Sequence, residues 1–287
     1  AFTDAAEQAA RGAGVTVRAG APVAHLRVQD ETVTGVVLEG GEEIGVKAVL
    51  STAHPTRTLL EWIDPVWLDP EFVHAVRNIR YRGCTAVVLY ALDALPEFLG
   101  LGSRNALAGI VTLTPSLQSL ERAADAAKYG TMSERPHVEL TVPTLLGSAL
   151  APEDRHVLVA RAQYAPYRLG DGGWNSARRD ALADAVTAEI ARVAPGFESK
   201  VLHRVTWSPR DLEERYGLPE GAASHGELGL DQILFMRPVP GWGQHATPIA
   251  GLYLGGAGTH PGPGILGGPG WLAARRLLRD RERRTTS

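Results

Sequence analysis

Cysteine, methionine and long apolar runs are scarce in this sequence. Cys84 is the only cysteine, which excludes a disulfide framework and a thiolate metal cluster. It sits in the strand-like run CTAVVLYAL and reads as a small buried hydrophobe. No apolar run is long enough to span a bilayer. The first residues, AFTDAAEQAARGAG, lack the basic segment and continuous apolar core of a signal peptide. These absences predict a cytoplasmic chain. Neither sign of charge dominates: 29 Lys and Arg stand against 32 Asp and Glu, a net charge of -3, so no footprint for nucleic acid is present. The basic tail RRLLRDRERR could touch acidic lipid or a partner, but the favoured reading is a solvated helix end whose cations suit the C-terminal dipole. No H-E-x-x-H or other metal-ligand spacing occurs, and without G-x-S-x-G there is no case for a serine hydrolase.

What is present is a mixed pattern over 287 residues, enough for two modest domains or one large one. Phe2, Ala5, Ala6, Ala9 and Ala10 mark one face of a short helix that ends at Gly12 and Gly14. VTVRAG, APVAHLRVQD, TVTGVVLEG and EIGVKAVLSTA then read as successive strands. Further on, CTAVVLYAL, ALAGIVTLT, HVELTV, RHVLVARAQY and SKVLHRVTW read as strands, with helices over SLQSLERAADAAKY and WNSARRDALADAVTAEIARV. In the last helix Leu182, Val186, Ile190 and Val193 form a core-facing stripe. A loop-rich segment is predicted from Asp211 to Thr247. The expected fold is α/β and α+β: a nucleotide-binding layer in two parts, residues 1–78 and 249–287, interrupted by a mainly antiparallel sheet domain over 79–248.

The chain closes on GLYLGGAGTHPGPGILGGPGWLAARRLL, a strand, a loop of glycine and proline, and a helix. Gly262, Gly264 and Gly267 formally satisfy G-x-G-x-x-G, but the pattern does not open a βαβ unit with an acidic strand end beyond it. A Walker A loop is excluded because no Gly-Lys-Ser/Thr follows. Two explanations of the loop stand side by side. Glycines let main-chain N–H groups approach a ligand, and the helix that follows turns its positive end toward it. Equally, glycines let a strand and a helix pack closely across a tight turn.

GLYLGGAGTHPGPGILGGPG, with the upstream stretches HGELGLDQILFMRPVPGWGQHATPIA, APEDRHVLVARAQYAPYRL and GVTVRAGAPVAHLRV, resembles the C-terminal portion of the phytoene-desaturase-like, amine-oxidase-related FAD oxidoreductases. The resemblance covers nearly the whole chain. It implies a partial FAD-binding, Rossmann-like layer interrupted by a substrate domain. The cofactor implied is FAD, with Val23 at the adenine end. Gly256, Ala257 and Gly258 would run along the pyrophosphate and ribityl chain. Gly264, Ile265 and Leu266 would offer main-chain amides to the pyrimidine edge of the isoalloxazine. Ala257 stands where related amine oxidases often carry an acidic residue, so binding would rest on main-chain groups. The family's N-terminal G-x-G-x-x-G half is missing from the sequence. That absence implies a truncated or processed chain, with an N-terminal half chain as a partner or a homo-oligomer in its place. The implied reaction is hydride transfer from a lipophilic or amine-like small-molecule substrate, and contact with a membrane surface is compatible with it. The alternative is a non-catalytic binding or assembly subunit that keeps the fold without binding FAD by itself.

No catalytic residue declares itself. His260, the ionisable group nearest the expected flavin, is the candidate for orienting substrate or acting as a base, against a plain loop-stabilising role. His225 and His245 are lesser versions of the same idea. Trp242, His245 and Tyr164 are candidates for lining a substrate channel. Glu227, Asp231, Gln232 and Arg237 are expected to bond irregular loop backbone.

Overall fold

The computed structural model describes residues 2–147, 150–264 and 267–285. In chain order the elements begin with α1 (Phe2–Gly12), β1 (Val23–Gln29), β2 (Thr32–Leu38), β3 (Glu43–Gly45), β4 (Val49–Ser51) and α2 (Pro70–Arg77). Next come β5 (Thr85–Leu92), β6 (Val111–Leu113), α3 (Leu117–Lys128), β7 (His137–Thr141) and β8 (His156–Gln163). The last are α4 (Ser176–Val193), β9 (Val201–Trp207), α5 (Pro209–Tyr216), β10 (Leu252–Leu254) and α6 (Gly268–Thr285). The chain divides into two compact units, residues 1–79 with 230–287, and residues 80–229.

In the first unit β1, β2 and β3 form an antiparallel meander. β4 and β10, far apart in sequence, pair in parallel, Leu252 opposite Val49 and Leu254 opposite Ser51. A core of Leu26, Val33, Leu59, Val76, Ile249 and Leu252 joins both sheets to α2. α2 starts where Asp69 accepts hydrogen bonds from the amides of Glu71 and Phe72, with Pro70 at its first position. α1 departs from expectation in one respect: it is helical, yet buries no residue, and Phe2 is 69% exposed. VTVRAG, expected as a strand, is not one. A strand needs a neighbour for its N–H and C=O groups, and the meander begins only at Val23, opposite Leu38.

The second unit is a five-stranded antiparallel sheet in the order β6-β7-β8-β5-β9. α4 covers one face, and Leu182, Ala183, Val186 and Ile190 share a core with Ala86, Val88, Tyr90, Leu158, Ala160 and Ala162. Alanines on both surfaces let the helix approach closely, and each large side chain buried there contributes about 1.5–3 kcal/mol. Inside this core the Tyr90 hydroxyl lies 2.9 Å from Thr187 Oγ1, and Thr187 donates to the carbonyl of Ala183. Burial pushes the Tyr90 hydroxyl up to about 12, against the opposing effect of that hydrogen bond. The segment expected to be loop from Asp211 onward opens with α5. Ser208 and Asp211 form a reciprocal capping box, and Gly217 ends the helix in the left-handed conformation, φ 65°.

Candidate functional site

The parallel pair β4–β10 sets the site, because ligands of α/β layers bind beyond the carboxyl ends of parallel strands. Both strands end together, and the amide of Gly255 donates to the carbonyl of Ser51 at 2.8 Å. The loop then lies flat on the segment after β4: a Cβ on Gly256 would stand 2.3 Å from the carbonyl oxygen of Thr52. A Cβ on Gly255 would meet Leu50, Ala273 and Gly270 within 3.3 Å. These two glycines are explained by close packing of strand, loop and α6. Thr259, buried, turns back to the carbonyl of Gly256 through both its amide and its hydroxyl.

Beyond Thr259 the loop changes character. Gly264 (φ 88°) and Gly267 (φ 75°) adopt backbone that L side chains rarely reach, and a Cβ at either would meet nothing within 4 Å. The open space in front of Gly264, just ahead of the amino end of α6, is what a ligand held by main-chain amides requires. Ile265 and Leu266 lie outside the described residues. Thus the glycines split by role: those at the strand end allow packing, and those at the loop tip leave room.

Two imidazoles stand beside the loop. His245 is 5% exposed, and its Nδ1 lies 3.0 Å from the carbonyl oxygen of Leu254. A carbonyl can only accept, so Nδ1 carries a hydrogen, and in the neutral ring the lone pair is on Nε2. Burial, with help from the nearby charges of His260 and Arg276, pushes His245 below the ordinary histidine range. His245 Nε2 and His260 Nδ1 are buried atoms with no hydrogen-bond partner among the described residues. Both histidines line a cavity of about 460 Å³ whose other wall is one face of α6, from Leu272 to Arg283.

Other expected site residues are placed as follows. Val23 is the half-buried first residue of β1 and packs against the first unit's core. Gly256 and Gly258 are buried and Ala257 half-buried in the loop. Trp242 stands edge-on to Phe72, ring centroids 4.9 Å apart, also in that core. Tyr164 follows β8 in the second unit, half-buried. The structure therefore brings His245, His260 and the glycine loop together and keeps Trp242 on the core of the same unit. The arginines of α6, expected as a solvated tail or a contact for acidic lipid or a partner, stand in the cavity wall. Their signal was spacing: Leu272, Arg275, Arg276, Arg279, Asp280 and Arg283 fall on one helical face. Among the described residues no group of three or more His, Cys, Asp or Glu could hold a metal. No helix there is long and apolar enough to cross a membrane.

A parallel strand pair leading through a glycine loop into a helix, and interrupted by a mainly antiparallel sheet unit, is the fold of part of an FAD-dependent oxidoreductase. By sequence and fold, the chain belongs with the C-terminal portion of the phytoene-desaturase-like, amine-oxidase-related oxidoreductases. It is 37% identical over 289 residues to pyridine nucleotide-disulfide oxidoreductase domain-containing protein 2 of Rattus norvegicus, covering 98% of this chain and 50% of that protein. It is 25% identical to the zeta-carotene-forming phytoene desaturase of Myxococcus xanthus, with the same two coverages, 98% and 50%. Among solved structures, an oxidoreductase from Methanosarcina mazei superposes with a TM-score of 0.60 at 16% identity, over 96% of this chain and 53% of that one. A redesigned putrescine oxidase superposes with a TM-score of 0.53 at 14% identity, over 96% and 51%. No protein-family model matches the sequence. The chain spans about half the length of the curated relatives it matches.

Proposed function

We propose that the first unit supplies half of an FAD site and that the second supplies the surface for a lipophilic or amine-like substrate. The observation that carries this reading is the loop tip, where Gly264 faces open space ahead of α6. The residues present fit the group: main-chain amides from Gly256 to Gly258 and at Gly264 would hold it, and the amino end of α6 favours negative charge there. Val23 would stand at its adenine end. FAD, when bound, supplies an acceptor for a hydride from a substrate C–H bond. This chain's own groups bind, orient and desolvate. His260, with an unpartnered Nδ1, is the group available to orient a polar substrate atom or take a proton from it.

The substrate class is supported by the sheet face opposite α4. The register aligns Val205, Leu89 and Val159 in one row, and Ala91 stands beside Val157 in the next. Leu89, Val157 and Val159 are only partly buried, and Val205 is 39% exposed. Partly uncovered aliphatic rows on a sheet suit an apolar substrate. Trp242 and His245 remain proposed channel residues in the first unit, as does Tyr164 in the second.

The missing phosphate-binding turn would come from an N-terminal half, in the same polypeptide or in a partner chain. A parallel pair of three-residue strands supports this, since parallel sheets ordinarily contain more strands and are covered on both faces. The test is a visible absorption spectrum after mixing with FAD, with and without that half. Flavin bound in stoichiometric amount when the halves are combined, and weakly to the 287 residues alone, is the expected result. A complemented protein that remains colourless would overturn the flavin reading in favour of a non-catalytic binding or assembly role.

A further inference from the structure

The cavity beside His245 holds none of the main-chain flavin contacts proposed above, although His245 and His260, which line it, are also the residues proposed to meet substrate. Its wall is the flank of α6 beyond the first turn, and its lining holds four arginines, Arg275, Arg276, Arg279 and Arg283, against one carboxylate, Asp280. Asp280 is already engaged, accepting from Arg276 Nε at 2.9 Å and from the Tyr253 hydroxyl at 3.1 Å. Arg276 also reaches Gln244 Oε1 at 3.1 Å. Arg275 lies over the ring of Trp271, 4.6 Å from its centroid. That stacking holds the guanidinium without neutralising it. Arg279 has no ion-pair partner among the described residues.

Arg275, Arg279 and Arg283 repeat every four residues, so like charges stack along one face of the helix. Each such pair disfavours the helix that carries it. A helix that carries two such pairs beside a cavity of about 460 Å³ is built for a multiply charged anion. The planar fork of arginine matches a tetrahedral oxyanion with two parallel N–H···O bonds.

We propose that this cavity is a separate binding site for a phosphate-class oxyanion, held by Arg275 and Arg279 with His245 and His260 at its inner side. A phosphate monoester carries close to two negative charges at neutral pH, which suits paired arginines better than a single carboxylate. The charged and titratable groups that line the cavity with His245 are His260 from the glycine loop and Arg275, Arg276, Arg279, Asp280 and Arg283 from α6. Burial first, and then the charges of His260 and Arg276, lower the pKa of His245 from its ordinary value. A bound dianion reverses the local field and favours the imidazolium, so His245 takes up a proton on binding. The ligand is either a soluble phosphate compound or the headgroup of an anionic lipid. This inference does not rest on the flavin reading.

The test is calorimetric titration of the 287-residue chain with inorganic phosphate at constant ionic strength, in buffers of different ionisation enthalpy. Saturable binding with proton uptake is expected, at least about tenfold weaker when Arg275→Gln and Arg279→Gln are combined. Arg18→Gln, which removes an exposed charge paired with Glu42 elsewhere, leaves it unchanged. Sedimentation with phosphatidylcholine vesicles, with and without phosphatidic acid, assigns the source. Selective binding to the acidic vesicles identifies a lipid headgroup, and binding of phosphate alone identifies a soluble ligand. Absence of binding at millimolar phosphate, or equal loss in Arg18→Gln, overturns the site. Displacement of phosphate by FAD would also overturn it, by making the cavity part of the flavin site. Gly264→Val separates the two proposals, since it removes flavin binding and spares phosphate.

Discussion

The Nδ1 of His245 lies 3.0 Å from the carbonyl oxygen of Leu254, so Nδ1 carries a hydrogen and donates it to the strand. The contact ties a residue that precedes β10 to the last residue of that strand, so the protonation of one side chain is coupled to the strand that carries the site.

That coupling predicts a pH dependence of folding. The pKa of His245 is lowered in the folded chain from its ordinary 6.5. The unfolded chain therefore binds the proton more tightly, and this group's contribution to stability is complete above about pH 6.5 and lost as pH falls through the folded value. Urea midpoints of the native chain and of His245→Gln should converge toward acid pH. A constant difference from pH 8 to pH 5 would show that His245 is not the titrating group.

The two classes of glycine should respond differently to alanine. Gly256→Ala forces a Cβ to 2.3 Å from the Thr52 carbonyl, and overpacking of this kind costs about 1–3 kcal/mol. Gly264→Ala meets no neighbour, and its cost is confined to the left-handed backbone, about 1–2 kcal/mol. Denaturation should therefore rank Gly256→Ala as the more destabilised. In a complemented flavin complex Gly264→Val should abolish FAD binding while the second unit keeps its stability. Stoichiometric flavin in that variant would refute the role given to the loop tip.

In the second unit, Thr187→Val leaves the Tyr90 hydroxyl buried without its 2.9 Å partner. The expected loss is about 1–3 kcal/mol, the cost of an orphaned buried polar group. Tyr90→Phe removes the hydroxyl itself and should cost less. If Thr187→Val proves harmless in the native background, the hydroxyl has another partner.

Leu89→Ser and Val159→Ser lie side by side on the open sheet face. Both should cost little stability, because neither side chain is fully buried. Together they should raise KM for a lipophilic substrate in the complemented enzyme by at least about tenfold, with kcat changed less. An unchanged KM would move the substrate surface elsewhere.

The sequence by itself determined those features that rest on local periodicity and turn chemistry. The five strands of the second unit's sheet were legible from alternation, and α4 from the stripe of Leu182, Val186 and Ile190. The terminal strand, loop and helix were legible too, because glycine and proline punctuate them. α5 could have been read from its Ser208–Asp211 capping box. Tertiary structure decided everything that depends on what stands opposite. VTVRAG has the alternation of a strand but no neighbour to pair with, and α1 has an apolar face but nothing buried against it. Gly256 and Gly264 are identical as letters. One is pressed against Thr52 and the other faces open space, which only the parallel pairing of β4 with β10 could determine. The arginines of α6 were visible as charge. Their convergence with His245 and His260 on one cavity required the fold, since residues some thirty positions apart meet only when the loop doubles back on the helix that follows it.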